Sequence, residues 1–418
     1  MRILFLSAFY PPYVIGGWEQ LVEDINLDLQ ARGHKTHVVT SMYGVNRPVK
    51  ESGVDRILAL DADVYHYKPE DLLAHSSRVR NNIRRVKNVI ETFQPDIVFV
   101  HVMWNLSKGV AWVAEKLCSD RVVYYIANDW PYAIDMHSAF WVNRARRPLV
   151  AKAKEVIAPI PLRMMQNENI KFHLDFKRVM CVSQSVMNNL AEYARIDPQV
   201  MRVVYNGVNA DVFTPDWSKK PYGVERAFSL LYAGNIASHK GVHTAIEAMA
   251  ILAQAPNARN IHLSIIGSGH PDYEEQLRNL VSMHHLEDKV SFLRRFPRSE
   301  MPALFRKFDA LVFPSVWDEP LARVMEEAMA SGLAVIGTLT GGTGELLLDG
   351  ETGLTFLSEN PEMMAQRIEQ LYDDPVLCRT LAENGRNKVF REFGRIQMMD
   401  AIEVYLNEVV TNSSVQGV

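Results

Sequence analysis

Three cysteines in 418 residues, Cys118, Cys181 and Cys378, are too few, too scattered and odd in number for a disulfide scaffold. No Cys-x-x-Cys pair occurs, so they are expected as buried free thiols rather than zinc ligands. No apolar run reaches the roughly 18–20 residues that crossing a bilayer requires. Neither sign of charge dominates: 45 Lys+Arg against 49 Asp+Glu leave a formal net charge of −4, and nothing electrostatic points to nucleic acid. Fixed-period repeats and low-complexity tracts are missing too, which excludes solenoids, collagen and disorder. What is present is an ordinary globular composition, 48% hydrophobic and 22% charged. The length suggests two domains.

The opening MRILFLSAFYPPYVIGG has a short apolar stretch broken by Pro11-Pro12, with no small-residue cleavage site after it. It reads as a first strand rather than a signal peptide. Short apolar runs then alternate with longer amphipathic ones, the pattern of an α/β fold with parallel sheets. Strands are expected at 2–9, 36–40, 96–101, 122–127 and 179–182, with a helix from about Glu19 to Ala31 that stops at Gly33. The second half restarts the pattern with strands at 229–234, 261–267, 290–293, 310–315 and 333–337 and a helix from about Val242. Between the halves, 205–223 is rich in Pro, Gly, Asn and Asp and reads as a linker. The halves look like two doubly wound units, whose ligands belong at the carboxyl ends of the strands.

The strongest local signal is DEPLARVMEEAMASGLAVIG at 318–337. Glu319 before Pro320 suits the first turn of a helix, and Glu327 would lie about 12 Å further along it at 1.5 Å per residue. A sugar joined through a diphosphate to a nucleoside is elongated on that scale. Glu319 would then accept hydrogen bonds from the sugar and Glu327 from the ribose, while backbone N–H groups near Leu321 and Ala322 meet the diphosphate. The plain alternative is two solvated glutamates. YAGNIASHKGVHTAIEAM (232–249) adds Lys240 just ahead of a helix, where it can neutralise a phosphate. TGGTGELLLDGETGL (340–354) adds a turn where backbone can approach a ligand closely, and Gly16-Gly17 separate the first strand from its helix.

In this order and at these intervals the segments resemble glycosyltransferase family 4 (group 1), retaining enzymes with the GT-B fold, α/β with two Rossmann-like doubly wound domains facing across a cleft. The likeness covers nearly the whole chain and is most specific between 229 and 357. It implies an acceptor-binding domain over 1–207, a nucleotide-sugar-binding domain over 208–393, and a last helix, about 394–418, packing back on the first. It implies a nucleoside-diphosphate sugar as donor, a UDP-sugar being expected, a glycan or lipid-linked acceptor, no nucleic acid, no resident cofactor and no metal. Lys240 matches the lysine of the donor diphosphate, Glu319 and Glu327 the paired glutamates, and Gly16 and Gly17 the glycine loop that closes over the diphosphate. His101 and Asp129 match acceptor or sugar contacts, and Lys240, Glu319 and His101 are the expected catalytic set.

The chain departs from the pattern in three places. Asn235 stands where an arginine is usual, which removes a charge from the diphosphate site. Leu321, Ala322 and Arg323 replace a Phe-Gly-Leu run, so that Arg323 is a base able to compensate. Asn128-Asp129 stands where His-Asp is commoner. A sugar-nucleotide epimerase of the same fold and a non-catalytic sugar-nucleotide-binding subunit are the rival readings.

Other features carry less. Asp61-Ala62-Asp63 mimics a metal-binding D-x-D, but no nucleotide motif surrounds it. His284-His285 lack further ligands in register, and Gly267-Ser268-Gly269 lacks the third glycine of a dinucleotide loop. Arg80, Arg84 and Lys87 share a helical face expected to be solvated. The stretch 140–154 mixes aromatics with Arg144, Arg146, Arg147, Lys152 and Lys154, which suits peripheral contact with anionic headgroups. A cytoplasmic protein, peripheral on the inner face of a membrane, is the corresponding expectation.

Overall fold

The computed structural model describes residues 1–64, 67–68, 71–133, 136–143, 148–219, 226–255 and 259–415. The chain divides into two compact units, one of Met1–Val182, Val186–Val204 and Met399–Val418, the other of Ser183–Ser185 and Tyr205–Met398.

The first unit is built on eight strands: β1 (Arg2–Ser7), β2 (Lys35–Ser41), β3 (Val49–Glu51), β4 (Val54–Leu58), β5 (Ile97–Val100), β6 (Val122–Ile126), β7 (Val179–Cys181) and β8 (Met201–Val203). Their order is β3-β4-β2-β1-β5-β6-β7-β8, parallel except for the β3–β4 pair. Ile3, Leu4, Phe5 and Leu6 are fully buried, because a central parallel strand is covered on both faces and so reads as an unbroken apolar run. The helix Trp18–Ala31 follows β1, and the C-terminal helix Arg395–Val415 contributes Met399, Ile402, Leu406 and Val409 to buried positions.

The second unit carries β9 (Phe228–Ala233), β10 (Ile261–Ile266), β11 (Val290–Leu293), β12 (Ala310–Phe313), β13 (Ala334–Gly337) and β14 (Leu354–Thr355). They form an all-parallel sheet in the order β11-β10-β9-β12-β13-β14. Chain order reverses direction between β9 and β12. In a doubly wound sheet that reversal is where a ligand site is expected, at the carboxyl ends of those two strands. Apolar side chains of β9, β10, β12 and β13 interleave with the helices Val242–Gln254, Pro361–Asp373 and Pro375–Glu392 in one core.

Every strand read from the sequence is present, most ending one or two residues early, so His101, Ala127, Gly234 and Ser315 lie in loops just past strand ends. The strands β3, β4, β8 and β14 were not expected: Val49–Glu51, Val54–Leu58 and Met201–Val203 carry charged residues that break an apolar run, and Leu354–Thr355 is only two residues long. The helix expected to begin at Glu319-Pro320 begins instead at Arg323 and runs to Ala330. The physical reason is the backbone of Ala322, extended at φ −83° and ψ 97°, whose carbonyl accepts the N–H groups of Met325 and Glu326 and so caps the helix there.

Candidate functional site

In the second unit the loops after β9 and β12 are fastened to each other. The carbonyl of His239 accepts the N–H groups of Val316 at 2.9 Å and Trp317 at 3.2 Å. Gly241 sits between them at φ +67°, and a Cβ there would lie 1.9 Å from the carbonyl oxygen of Pro314. Only glycine allows both that turn and that approach. The result brings Lys240 and Glu319 together: Lys240 Nζ donates to Glu319 Oε1 at 2.5 Å, and Ser315 Oγ donates to the same oxygen at 2.7 Å. Glu319 is only 7% exposed. Its main chain is clamped from the other side, where Gly342 N–H donates to its carbonyl at 2.7 Å. A Cβ on Gly341 would come within 2.3 Å of that same oxygen, so the glycine-rich turn positions Glu319.

Burial and the adjacent Lys240 cation hold the imidazole of His239 below its ordinary range, with Glu319 opposing them. Tyr232 O–H donates to the carbonyl of Asn235 at 2.7 Å, and Asn235 itself is exposed. Leu321 and Ala322 are buried and precede the helical turn that they were expected to begin. Arg323, the first helical residue, and Glu327, one turn later, are half-buried. Glu319 and Glu327 thus do not share a helix, and the 12 Å estimate fails with the assumption behind it.

The sequence reading missed Glu326. It is fully buried, and Asn206 Nδ2 donates to both its carboxylate oxygens at 3.0 Å. Burial pushes its pKa well up, against the pull of Arg323 and with the push of Glu327. A signal existed: Ala322, Met325, Glu326, Met329 and Ala330 form an i, i+3, i+4, i+7, i+8 stripe, and Glu326 is its one acid.

The remaining candidates belong to the first unit. Gly16 N–H donates to Glu19 Oε2 at 3.0 Å, and Gly17 precedes the helix Trp18–Ala31. His101 lies one residue past β5, 2% exposed, its ring stacked on Phe5 at 5.4 Å and 4.3 Å from the ring of Phe99. Burial lowers its pKa to about 3, so the ring is neutral, and its Nε2 meets no hydrogen-bond partner among the described residues. Neither polar atom of the Asn128 amide has a partner there either, although the residue is buried. Asp129 is half-buried with its carboxyl raised by burial, and its carbonyl accepts the N–H groups of Tyr132 and Ala133.

Asp61 is buried and Asp63 exposed, so the D-x-D carboxylates do not share a face. His75 lies between Asp61 and Glu168, with Nδ1 3.5 Å from Asp61 Oδ1 and Nε2 2.5 Å from Glu168 Oε2. Arg80, Arg84 and Lys87 are exposed on the helix Asp71–Phe93, and all three cysteines are buried and free. Arg144, Arg146 and Arg147 lie outside the described residues. Among the described residues no helix is long and apolar enough to cross a membrane.

Two doubly wound units of this kind are the architecture of GT-B enzymes. The chain belongs to the family 4, group 1 glycosyltransferases: residues 15–212 match Glycosyltransferase Family 4 and residues 214–388 match Glycosyl transferases group 1. YtcC of Bacillus subtilis (strain 168), which carries a glycosyltransferase name, is 33% identical over 230 residues, half of this chain and 55% of that protein. A glycogen synthase of Mycobacterium tuberculosis (strain CDC 1551 / Oshkosh) is 24% identical over 414 residues, 94% of this chain and 91% of the relative. Among solved structures, Anabaena Alr3699/HepE in complex with UDP and glucose superposes with a TM-score of 0.68 at 21% identity, covering 97% of this chain and 99% of that one.

Proposed function

We propose that the chain moves a hexose from a UDP-sugar to a glycan or lipid-linked acceptor with retention of anomeric configuration and without a metal. The observation that carries this reading is the Lys240–Glu319 pair where the loops after β9 and β12 meet, at the reversal of strand order. A buried acid holding a lysine at the position where a doubly wound sheet takes its phosphates is a site waiting for a competing anion. The UDP and glucose held by the HepE structure are in keeping with that donor class.

On this reading Lys240 exchanges Glu319 for the diphosphate, and Glu319 is freed to accept a hydrogen bond from the sugar. The first-turn N–H groups of the helix Arg323–Ala330 add their dipole, and Arg323 supplies the charge that Asn235 does not. Glu327 takes the ribose hydroxyls. Gly16 and Gly17 are assigned to the diphosphate, and His101 and Asp129 to the acceptor or the transferred sugar. In the chemical step the acceptor oxygen bonds to the anomeric carbon as the bond from that carbon to the diphosphate breaks. The acceptor proton passes to a diphosphate oxygen on the same face. The protein contributes position and charge rather than a base of its own.

A donor screen read by release of free nucleoside diphosphate, with and without acceptor, tests the class. Lys240→Ala is expected to lower turnover by ~10²-fold or more, the range lost with one oxyanion-type contact. Wild-type turnover in that variant would overturn the site. Isomerised donor in the absence of acceptor would show an epimerase.

A further inference from the structure

The aromatic residues of 140–154 do not face outward as the sequence suggested. Trp141 is 7% exposed and donates to Tyr67 Oη, while Phe140 packs 4.5 Å from the Tyr67 ring with Lys154 Nζ above it. They close a small inward cluster with Ala158, Leu162 and Met165. The outward side of the next two helices, Pro148–Ile157 and Pro159–Lys171, carries aliphatic side chains among cationic and amide ones. Val156 is 78% exposed, Ile157 48%, Ile160 65%, Met164 40% and Ile170 71%. At about 100° per residue, Ile160, Met164, Asn167 and Lys171 fall on one stripe of the second helix, flanked by Arg163 and Ile170.

Single exposed aliphatics are unremarked features of any surface, but five within fifteen residues form a patch that asks for a partner. Charge says which. Lys152, Arg163 and Lys171 are exposed beside the patch, and Lys152 and Arg163 make no ion pair with any described residue. Glu168, the acid of the same helix, is turned inward to His75 and Ser107, which leaves Glu155 as the one exposed acid of the two helices. A cationic, aliphatic face on a chain whose net charge is −4 is complementary to an anionic surface with an apolar interior. A second copy of the same chain fits it badly, since an isologous contact would set these cations against their own images.

We propose that the helices Pro148–Ile157 and Pro159–Lys171 lie on an anionic lipid bilayer, with Val156, Ile157, Ile160, Met164 and Ile170 entering the acyl boundary and Lys152, Arg163 and Lys171 resting among the headgroup phosphates. The face belongs wholly to the first unit and does not depend on the donor reading.

Flotation of the full chain with vesicles of equal phosphatidylcholine and phosphatidylglycerol, and with phosphatidylcholine alone, tests it. The chain is expected to float with the anionic vesicles at low salt and to detach as ionic strength rises past the screening range. Ile160→Ser with Met164→Ser and Ile170→Ser should abolish flotation. Lys152→Gln with Arg163→Gln and Lys171→Gln should weaken partitioning by about a hundredfold, from roughly fivefold per cation. A thermal melt checks each variant. The charge variant, altered only at exposed positions, keeps the test decisive if the apolar one misfolds. Wild-type chain that stays behind with anionic vesicles, or a charge variant that floats as wild type does, overturns the proposal. So does a wild-type dimer in sedimentation that the apolar substitutions dissociate, because the patch would then belong to a second copy.

Discussion

Glu326 shows what one residue reveals when burial and charge disagree. A carboxyl with no exposure is costly to ionise, and among the described residues the amide bonded to it is that of Asn206. Because the folded pKa is raised, this group stabilises the fold fully below its unfolded pKa, and that contribution is lost as pH rises through the folded value. Glu326→Gln, a neutral isostere, should therefore raise stability near neutrality, which already lies above the unfolded pKa, and flatten the decline with rising pH. Asn206→Ala, which strips the carboxyl of its partner, should cost about 1–3 kcal/mol. Urea unfolding over a range of pH separates the two, and equal losses in both variants would show that the charged form is the one buried. The adjacent Glu327 drew attention in the sequence because its spacing from Glu319 fits a ligand. Glu326 did not, because a lone acid in an apolar stripe reads as an exception to the stripe. Asn128 was legible only as a departure, since the isolation of its amide depends on a neighbourhood that the sequence does not list.

At the scale of elements, strands were readable where a short apolar run stood between amphipathic ones, and the end of the helix Trp18–Ala31 was readable from Gly33. The start of the helix Arg323–Ala330 was misplaced by about three residues because Pro320 is a good first-turn residue by local preference. The tertiary clamp of Gly341 and Gly342 on Glu319 overrides that preference and holds the preceding loop extended. The C-terminal helix is tied to the first sheet in a way no local pattern announces. Arg32 bonds to Glu403 at 2.6 Å and to Asp400 at 2.7 Å, and His34 bonds to Glu403 at 2.9 Å. Arg32 and then His34 hold the Glu403 carboxyl below its usual range. Its folded pKa being lowered, the stabilisation is present above the unfolded pKa and is lost as pH falls through the folded one. Amide exchange along Arg395–Val415 should accelerate in that acidic window, and Glu403→Gln should bring the acceleration to neutral pH. Exchange in the variant that matches wild type would mean that packing alone holds the helix.

For the whole molecule, the alternation of short and long apolar segments was enough to give two doubly wound units, and strand order then explains why Lys240 and Glu319 meet. Two residues 79 positions apart are brought within hydrogen-bond reach because β9 and β12 are sheet neighbours. Sequence order placed both near a phosphate; only the fold shows them bonded to each other. The proposed donor site supplies its own cations, from Lys240 and Arg323. Transfer should persist in excess EDTA, and abolition restored by Mg²⁺ or Mn²⁺ would assign a metal to the diphosphate instead.

If the proposed function holds, the Lys240–Glu319 bond also sets the terms on which a donor is admitted. An incoming anion does not meet a bare cation; it must outcompete a carboxylate already in place, so its measured affinity is the difference between two contacts of the same kind. Anions with a single weak charge gain little by that exchange, whereas a diphosphate, reaching the lysine and the helix terminus at once, gains from both. On the proposed reading, inorganic phosphate would compete poorly for the lysine, and Glu319 would be released only to a ligand that engages it elsewhere.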